Sequence, residues 1–216
     1  MRDLRQRVCG QIWRLVKRTL NLNPCFFTLF PRGWEVPAGQ LDGFNPIKKL
    51  AALRSLINRC GRQHLGGYLI AFIHGEFEPS RNVYQLHIHG IVAGSLRDVI
   101  DQEVRKTPSV RSNDGTYGLS DFVRHRLRME SSLTDLPRPI TYLVKSFWPS
   151  KLQYLNAQGQ LRRHRRVRRI GEPYHTEVLL WLDQWRLNDL SLLMNLSVGK
   201  DGFHLSDRAY TDGDSQ

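Results

Sequence analysis

The sequence predicts an α+β fold, and two observations carry that reading. Gly67–Glu76 and Tyr84–Val92 are apolar runs rich in β-branched and aromatic residues, and the turn-forming stretch Glu78-Pro-Ser-Arg-Asn82 lies between them. That pattern is a β-hairpin. Around it, residues 1–20, 46–61 and 172–187 repeat apolar side chains at helical spacing. With 216 residues, 40% of them hydrophobic, the chain can bury a sizeable core and is not a disordered tail.

The elements follow in order. Leu4, Val8, Ile12, Leu15 and Val16 form one helical stripe among Arg5, Arg7, Arg14, Lys17 and Arg18. This is an amphipathic helix packed on the domain with a solvated basic face, or one that offers that face to DNA or a membrane surface. Cys25–Phe30, ended by Pro31, is a buried strand, and residues 31–45 are a loop. Asn45-Pro46 opens a helix through Ile47, Leu50, Leu53 and Ile57 that stops near Gly61. After the hairpin, Ser95 caps a short helix over Leu96, Val99, Ile100 and Val104, and residues 106–120 are a polar loop. Phe122–Met129 alternates, with Arg124, Arg126 and Arg128 on one face and Val123, Leu127 and Met129 on the other, as a half-buried strand does. Pro137 and Pro139 introduce a helix over Ile140–Phe147 that ends before Pro149. A basic run, Arg162–Arg169, precedes a helix over Glu172–Leu187 with Val178, Leu179, Leu182 and Trp185 inward, and Leu190–Leu196 is apolar. The chain divides into a basic helix (1–22), a central domain (23–150) and a basic segment with a helical C-terminal extension (151–216).

Charge narrows the class. Lysine and arginine number 32 against 20 acidic residues, a formal charge of +12, and the isoelectric point is near 10.1. Such an excess suits a polyanionic partner, nucleic acid or an anionic membrane. No apolar run reaches the roughly 18–20 residues of a membrane span. The arginine-rich start lacks the signal-peptide pattern. Cys9, Cys25 and Cys60 are odd in number and have no CxxC spacing, as expected of reduced thiols in a cytoplasmic protein.

The chemistry centres on Tyr84-Gln-Leu-His87-Ile-His89-Gly-Ile-Val92. Strand side chains alternate, so His87 and His89 share a face while Leu86, Ile88 and Val92 take the other. Paired imidazoles begin a metal site, and the neighbouring strand supplies a third ligand. A turn centred on Ser80 and Arg81 sets His74 opposite His87 and Phe72 opposite His89; a register shifted by one pair brings Glu76 opposite His87. His74, Glu76 and Glu78 alternate onto one face, and His74 and Glu76 both stand as candidates. An HxH pair by itself better suits two hydrogen-bonded core residues or part of an exposed face; the acid and imidazole across the hairpin and the basic chain favour metal. Tyr142 and Lys145, three apart on a helix, share a face. A lysine charge beside a phenol favours the phenolate and can hold a phosphate oxygen, so Tyr142 suits a nucleophile.

The order Phe26-Phe-Thr-Leu-Phe30, His87-Ile-His89, Tyr142-Leu-Val-Lys145 resembles the HUH (histidine–hydrophobe–histidine) endonucleases, especially the small rolling-circle replication initiators. The likeness covers roughly residues 25–148. It implies a central antiparallel sheet flanked by helices and a divalent metal, Mg or Mn, on His87, His89 and either His74 or Glu76. It implies site- and strand-specific nicking of single-stranded DNA or an origin hairpin, with Tyr142 joined to the 5′ phosphate. Ser146 stands where some relatives carry a second tyrosine, so a one-tyrosine enzyme is expected. No Walker-type glycine loop is present, which leaves unwinding and synthesis to a host helicase and polymerase in a bacterial cytoplasm. Arg124, Arg126, Arg128, Arg162, Arg163, Arg165 and Arg166 are then expected to contact DNA phosphates. A relaxase or a single-strand transposase shares the chemistry. The rivals from other classes are a non-catalytic basic nucleic-acid-binding protein and a membrane-surface protein.

Overall fold

The computed structural model describes residues 2–61, 65–111, 126–130, 133, 137–145, 147–151, 153–159, 161–163 and 168–210. The architecture is α+β: an eight-stranded sheet flanked by helices. Its spine is the hairpin of β3 (Tyr68–Glu78) and β4 (Val83–Ala93), paired antiparallel over their whole length, from Tyr68↔Ala93 to Glu78↔Val83. Two short strands lie along each outer edge of this hairpin. β1 (Cys25–Leu29) and β2 (Glu35–Pro37) pair antiparallel with β4. β10 (Ser191–Met194) pairs antiparallel with β3, and β6 (Pro149–Ser150) pairs with it in parallel at Phe77↔Ser150. β5 (Leu127–Met129) extends the β1 side and β9 (Arg168–Arg169) the β6 side. The central strands are antiparallel, as the sequence predicts, and the parallel contact of β3 with β6 at its margin makes the sheet mixed. Two further hairpins lie off the sheet: β7 (Gln153–Leu155) with β8 (Leu161–Arg163), and β11 (Leu196–Gly199) with β12 (Gly202–Leu205).

Both sheet faces are covered. One packs Phe27, Leu29, Leu69, Ala71, Ile73, Leu86, Ile88 and Val92 against Leu50, Leu53 and Ile57 of α2 (Pro46–Gly61) and Val178 and Trp181 of α5 (Tyr174–Asp183). Asn45 Oδ1 accepts from Lys48 N–H (3.0 Å), capping the start of α2 as its Asn-Pro entry predicts. The other face packs Phe26, Ile70, Phe72 and Ile91 against Val8, Ile12, Leu15 and Val16 of α1 (Arg2–Arg18), Ile140 and Leu143 of α4 (Pro137–Leu143), and Phe203. Gly90 has a packing reason: a Cβ there would stand 2.4 Å from the Phe27 ring. Among the described residues no helix is long and apolar enough to cross a membrane.

Several sequence expectations change. The 31–45 loop contains β2, because β4 runs on past the end of β1 and its backbone groups need partners. Gly94, not Ser95, precedes the α-turn α3 (Ser95–Asp98), and the Ser95 hydroxyl donates to the Gly66 carbonyl; the chain then passes through a π turn and a 3-10 turn to Lys106. Leu179 is exposed and Trp181 takes its place inside, its indole N–H donating to the Phe44 carbonyl (3.1 Å). The C-terminal extension is helical at α5 and also supplies β10 to the sheet, so its apolar run is a strand. The helix of Tyr142 ends at Leu143, short of Lys145.

Candidate active site

Along the face covered by α1 and α4, the central hairpin changes character partway. On β3 the sequence of side chains is Tyr68, Ile70, Phe72, then His74, Glu76, Glu78; on β4 it is Ala93, Ile91, then His89, His87, Gln85. The apolar half lies under α1. The polar half gathers six polar groups, all buried. Burying polar groups costs free energy unless each is paired, so such a cluster points to function.

The register is the one that a turn centred on Ser80 and Arg81 dictates: His74 lies opposite His87, Phe72 opposite His89, and Glu76 opposite Gln85. Each imidazole is held by a specific partner. His87 Nδ1 is 3.0 Å from the Gln85 carbonyl, which can only accept, so Nδ1 carries the proton. Its Nε2 faces His89 Nε2 at 3.0 Å. His89 Nδ1 is 2.9 Å from the Thr28 hydroxyl, from the Thr-Leu strand motif. Burial and the neighbouring imidazoles push His89 far below the ordinary histidine range, and burial and His87 push His74 down to about 3. His74 and His89 are therefore neutral at ordinary pH. Phe30 stacks on His87, ring centres 4.6 Å apart, and Phe26 on His89 at 5.6 Å.

The tyrosine segment meets the histidines directly. The Tyr142 ring stands edge-on to His89 with centres 4.7 Å apart, and it is about one-third exposed. Lys145 lies past the helix end, yet its Nζ is 5.2 Å from the centre of the Tyr142 ring. Burial and the charge of Lys151 lower the Lys145 pKa. His74 explains why the helix sits here. Its Nε2–H donates to the Leu143 carbonyl at 2.7 Å, and that carbonyl is one of those a helix leaves unpaired at its C-terminus. His74 thus ties α4 to the sheet.

Lys151, which the sequence did not mark, is ion-paired with buried Glu76. Its backbone N–H donates to the Phe77 carbonyl beside the β6 contact. Glu78 serves the turn, accepting from the backbone N–H and hydroxyl of Ser80. A lone lysine after Pro149-Ser150 carries no local signal; only the meeting of β6 with β3 gives it a role.

The donor set suits a divalent cation. His87 Nε2 and His89 Nε2 face each other 3.0 Å apart, two imidazole nitrogens that would hold one ion between them. As the side chains stand, among the described residues no three His, Cys, Asp or Glu groups converge on one point. His74 Nε2 is turned to Leu143, and Glu76 to Lys151.

The basic residues divide. Arg126 is buried, its Nη1 donating to the Phe30 carbonyl (3.2 Å), and its own carbonyl accepts from Phe30 N–H (2.7 Å). It closes the β1 edge and is not a surface phosphate contact. Arg128 and Arg162 are exposed. Arg163 ends β8, and Arg124, Arg165 and Arg166 lie outside the described residues. Comparison of the chain with protein-family models, with curated proteins and with solved structures returns no match.

Proposed function

We propose that the chain is a metal-dependent HUH-type nickase that cuts and rejoins single-stranded DNA through Tyr142, acting as a replication initiator of a plasmid or other mobile element. The observation that carries this reading is the contact of Tyr142 with His89, which joins the tyrosine motif to the histidine motif. Tyr142 Oη gives up its proton to solvent and attacks the phosphorus; an Oη–P bond forms, the P–O3′ bond breaks, and the 3′ oxygen leaves and takes up a proton from solvent, so that no net proton is consumed. The phosphotyrosine conserves the bond energy, so a 3′ hydroxyl can reverse the step without a nucleotide. Lys145 lends positive charge to the phenol and to the phosphate under attack.

A divalent ion, Mg or Mn, would supply Lewis-acid polarisation of the phosphodiester. His87 and His89 would hold it, and Glu76 would be the third ligand. Glu76 is a buried carboxylate that needs a cation beside it, the part Lys151 plays in this structure. His74 already spends its Nε2–H on Leu143 and acts as the anchor of α4.

The test is incubation with a pool of single-stranded oligonucleotides and Mn, followed by a denaturing gel and mass spectrometry. Wild type should give a covalent adduct on Tyr142. Tyr142→Phe keeps the ring contacts and should form none. An adduct on Tyr154 or Tyr117, or undiminished cutting by Tyr142→Phe, refutes the assignment. Cutting without adduct points to a hydrolase. Binding with no cutting supports a non-catalytic DNA-binding protein, a reading favoured by the saturation of the histidines with partners inside the protein.

A further inference from the structure

We propose that the outer face of α1 is a contact surface for single-stranded DNA, along which the strand runs to Tyr142; the destination rests on the reading above, the surface itself does not. The inner face of α1 is buried on the sheet, which leaves Arg7, Arg14, Lys17 and Arg18 exposed. Arg7, Arg14 and Arg18 are seven and four residues apart, so they line one edge of the helix over roughly 16 Å. None of the four is ion-paired among the described residues, although Arg18 Nη2 donates to the Phe203 carbonyl (3.1 Å), and Asp3 is the one acid in the helix.

Helix electrostatics do not account for this row. Lys17 and Arg18 suit the negative C-terminal end, but Arg5 and Arg7 sit toward the positive N-terminal end, where cations are unfavourable. Packing does not account for Gly10 either. It lies between Arg7 and Arg14, and a Cβ there would meet nothing nearer than Arg14 Nη1 at 4.0 Å. Glycine weakens a helix interior relative to alanine, so a bare backbone between two arginines calls for a different reason; it admits the close approach of a sugar–phosphate chain. Trp13 is exposed on the far side of Gly10, about a third of a turn round from the arginine row, with Lys17 Nζ 5.2 Å from its ring centre, and offers an aromatic face for base stacking.

The far margin of this face borders the candidate site, so the strand would cross the helix from the arginine row over Gly10 and Trp13. About half a turn round from that row, Arg5 Nη2 donates to the carbonyl of Thr141, the residue before Tyr142 (3.3 Å), and Cys9 Sγ approaches the Ile140 carbonyl (4.0 Å). A membrane is the poorer partner for this face. Val8, Ile12, Leu15 and Val16 of α1 are already buried in the protein, and exposed Leu4 and Leu20 lie far apart, one in its first turn and the other in the 3-10 turn after it.

The test measures the anisotropy of a labelled oligothymidine with the full chain across a salt series in EDTA, so that binding is read without cutting. Arg7→Gln with Arg14→Gln should weaken binding at least tenfold and lower the log–log salt slope by about 1.4, two contacts at about 0.7 each. Arg54→Gln with Arg59→Gln, an equal charge loss on α2 across the sheet, should leave the slope unchanged. Trp13→Leu should weaken binding about five- to hundredfold. Gly10→Ala should keep or raise the melting temperature while weakening binding. An unchanged slope in the α1 pair, or an equal drop in the α2 pair, overturns the proposal. So does loss of binding to anionic phosphatidylserine vesicles by the α1 pair with DNA binding intact. If the α1 pair loses the slope while wild type forms no adduct with Mn, the surface stands and the nickase reading falls.

Discussion

Replacing His74 with alanine separates an anchor from a metal ligand. The imidazole is buried and donates Nε2–H to the Leu143 carbonyl at 2.7 Å. Removing it leaves that carbonyl unpaired in the interior, a loss of about 1–3 kcal/mol. The vacated space adds the usual large-to-small penalty, because the His87 and His89 rings lose contacts. No ion pair is lost, since burial holds His74 neutral, with a pKa of about 3. The sum is about 3 kcal/mol of stability lost without metal, or about 6–12 °C in Tm for a chain of this size. Urea unfolding in EDTA measures the loss, and calorimetric titration with Mn measures the site. His74→Ala should bind Mn within about threefold of wild type. Glu76→Gln should lose more than about a hundredfold, beyond the roughly 10–100-fold that a group outside the coordination shell costs. Wild-type stability in EDTA together with lost Mn binding in His74→Ala would refute the anchor assignment and make His74 the ligand.

Acid should destabilise the metal-free protein in a defined window. In the unfolded chain His74 protonates near 6.5, in the fold near 3, so the unfolded state binds more protons between those values and stability falls as pH drops from about 6.5 to about 3. The slope is up to about 1.4 kcal/mol per pH unit for each such histidine, and urea midpoints for His74→Ala should show one proton less; an identical slope counts against the assignment. Lys151→Met strips the cation from buried Glu76, with a loss of about 2 kcal/mol, reduced from the fully buried case because Lys151 is partly exposed. Mn should restore most of that stability, and thermal melts showing no recovery would separate Glu76 from the metal site. Gly90→Ala forces a methyl against Phe27 and should cost about 1–3 kcal/mol or more; a wild-type urea midpoint would mean that the strand shifts freely.

What the sequence determined by itself is local. Pro79–Asn82 form the turn, with Asn82 at a φ of 53°, and an antiparallel register follows from its turn. That placed His74 opposite His87, and strand alternation put His87 and His89 on one face. Helical spacing likewise marked Val8, Ile12, Leu15, Val16, Leu50, Leu53 and Ile57, which are buried, but also Leu4 and Ile47, which stand exposed in the first turns of their helices. Only the tertiary structure decided which segments complete the outer edges of the hairpin. The unpaired backbone of β3 takes Ser191–Met194 and Ser150, and no short stretch of sequence states that choice. From it follow the Lys151–Glu76 pair, the burial of Trp181 over Leu179, and Arg126 closing the β1 edge. The contact of Tyr142 with His89 belongs to the same class. It exists because a sheet histidine takes up the last carbonyl of α4, and a hydrogen bond between residues so far apart in the chain leaves no periodicity to read.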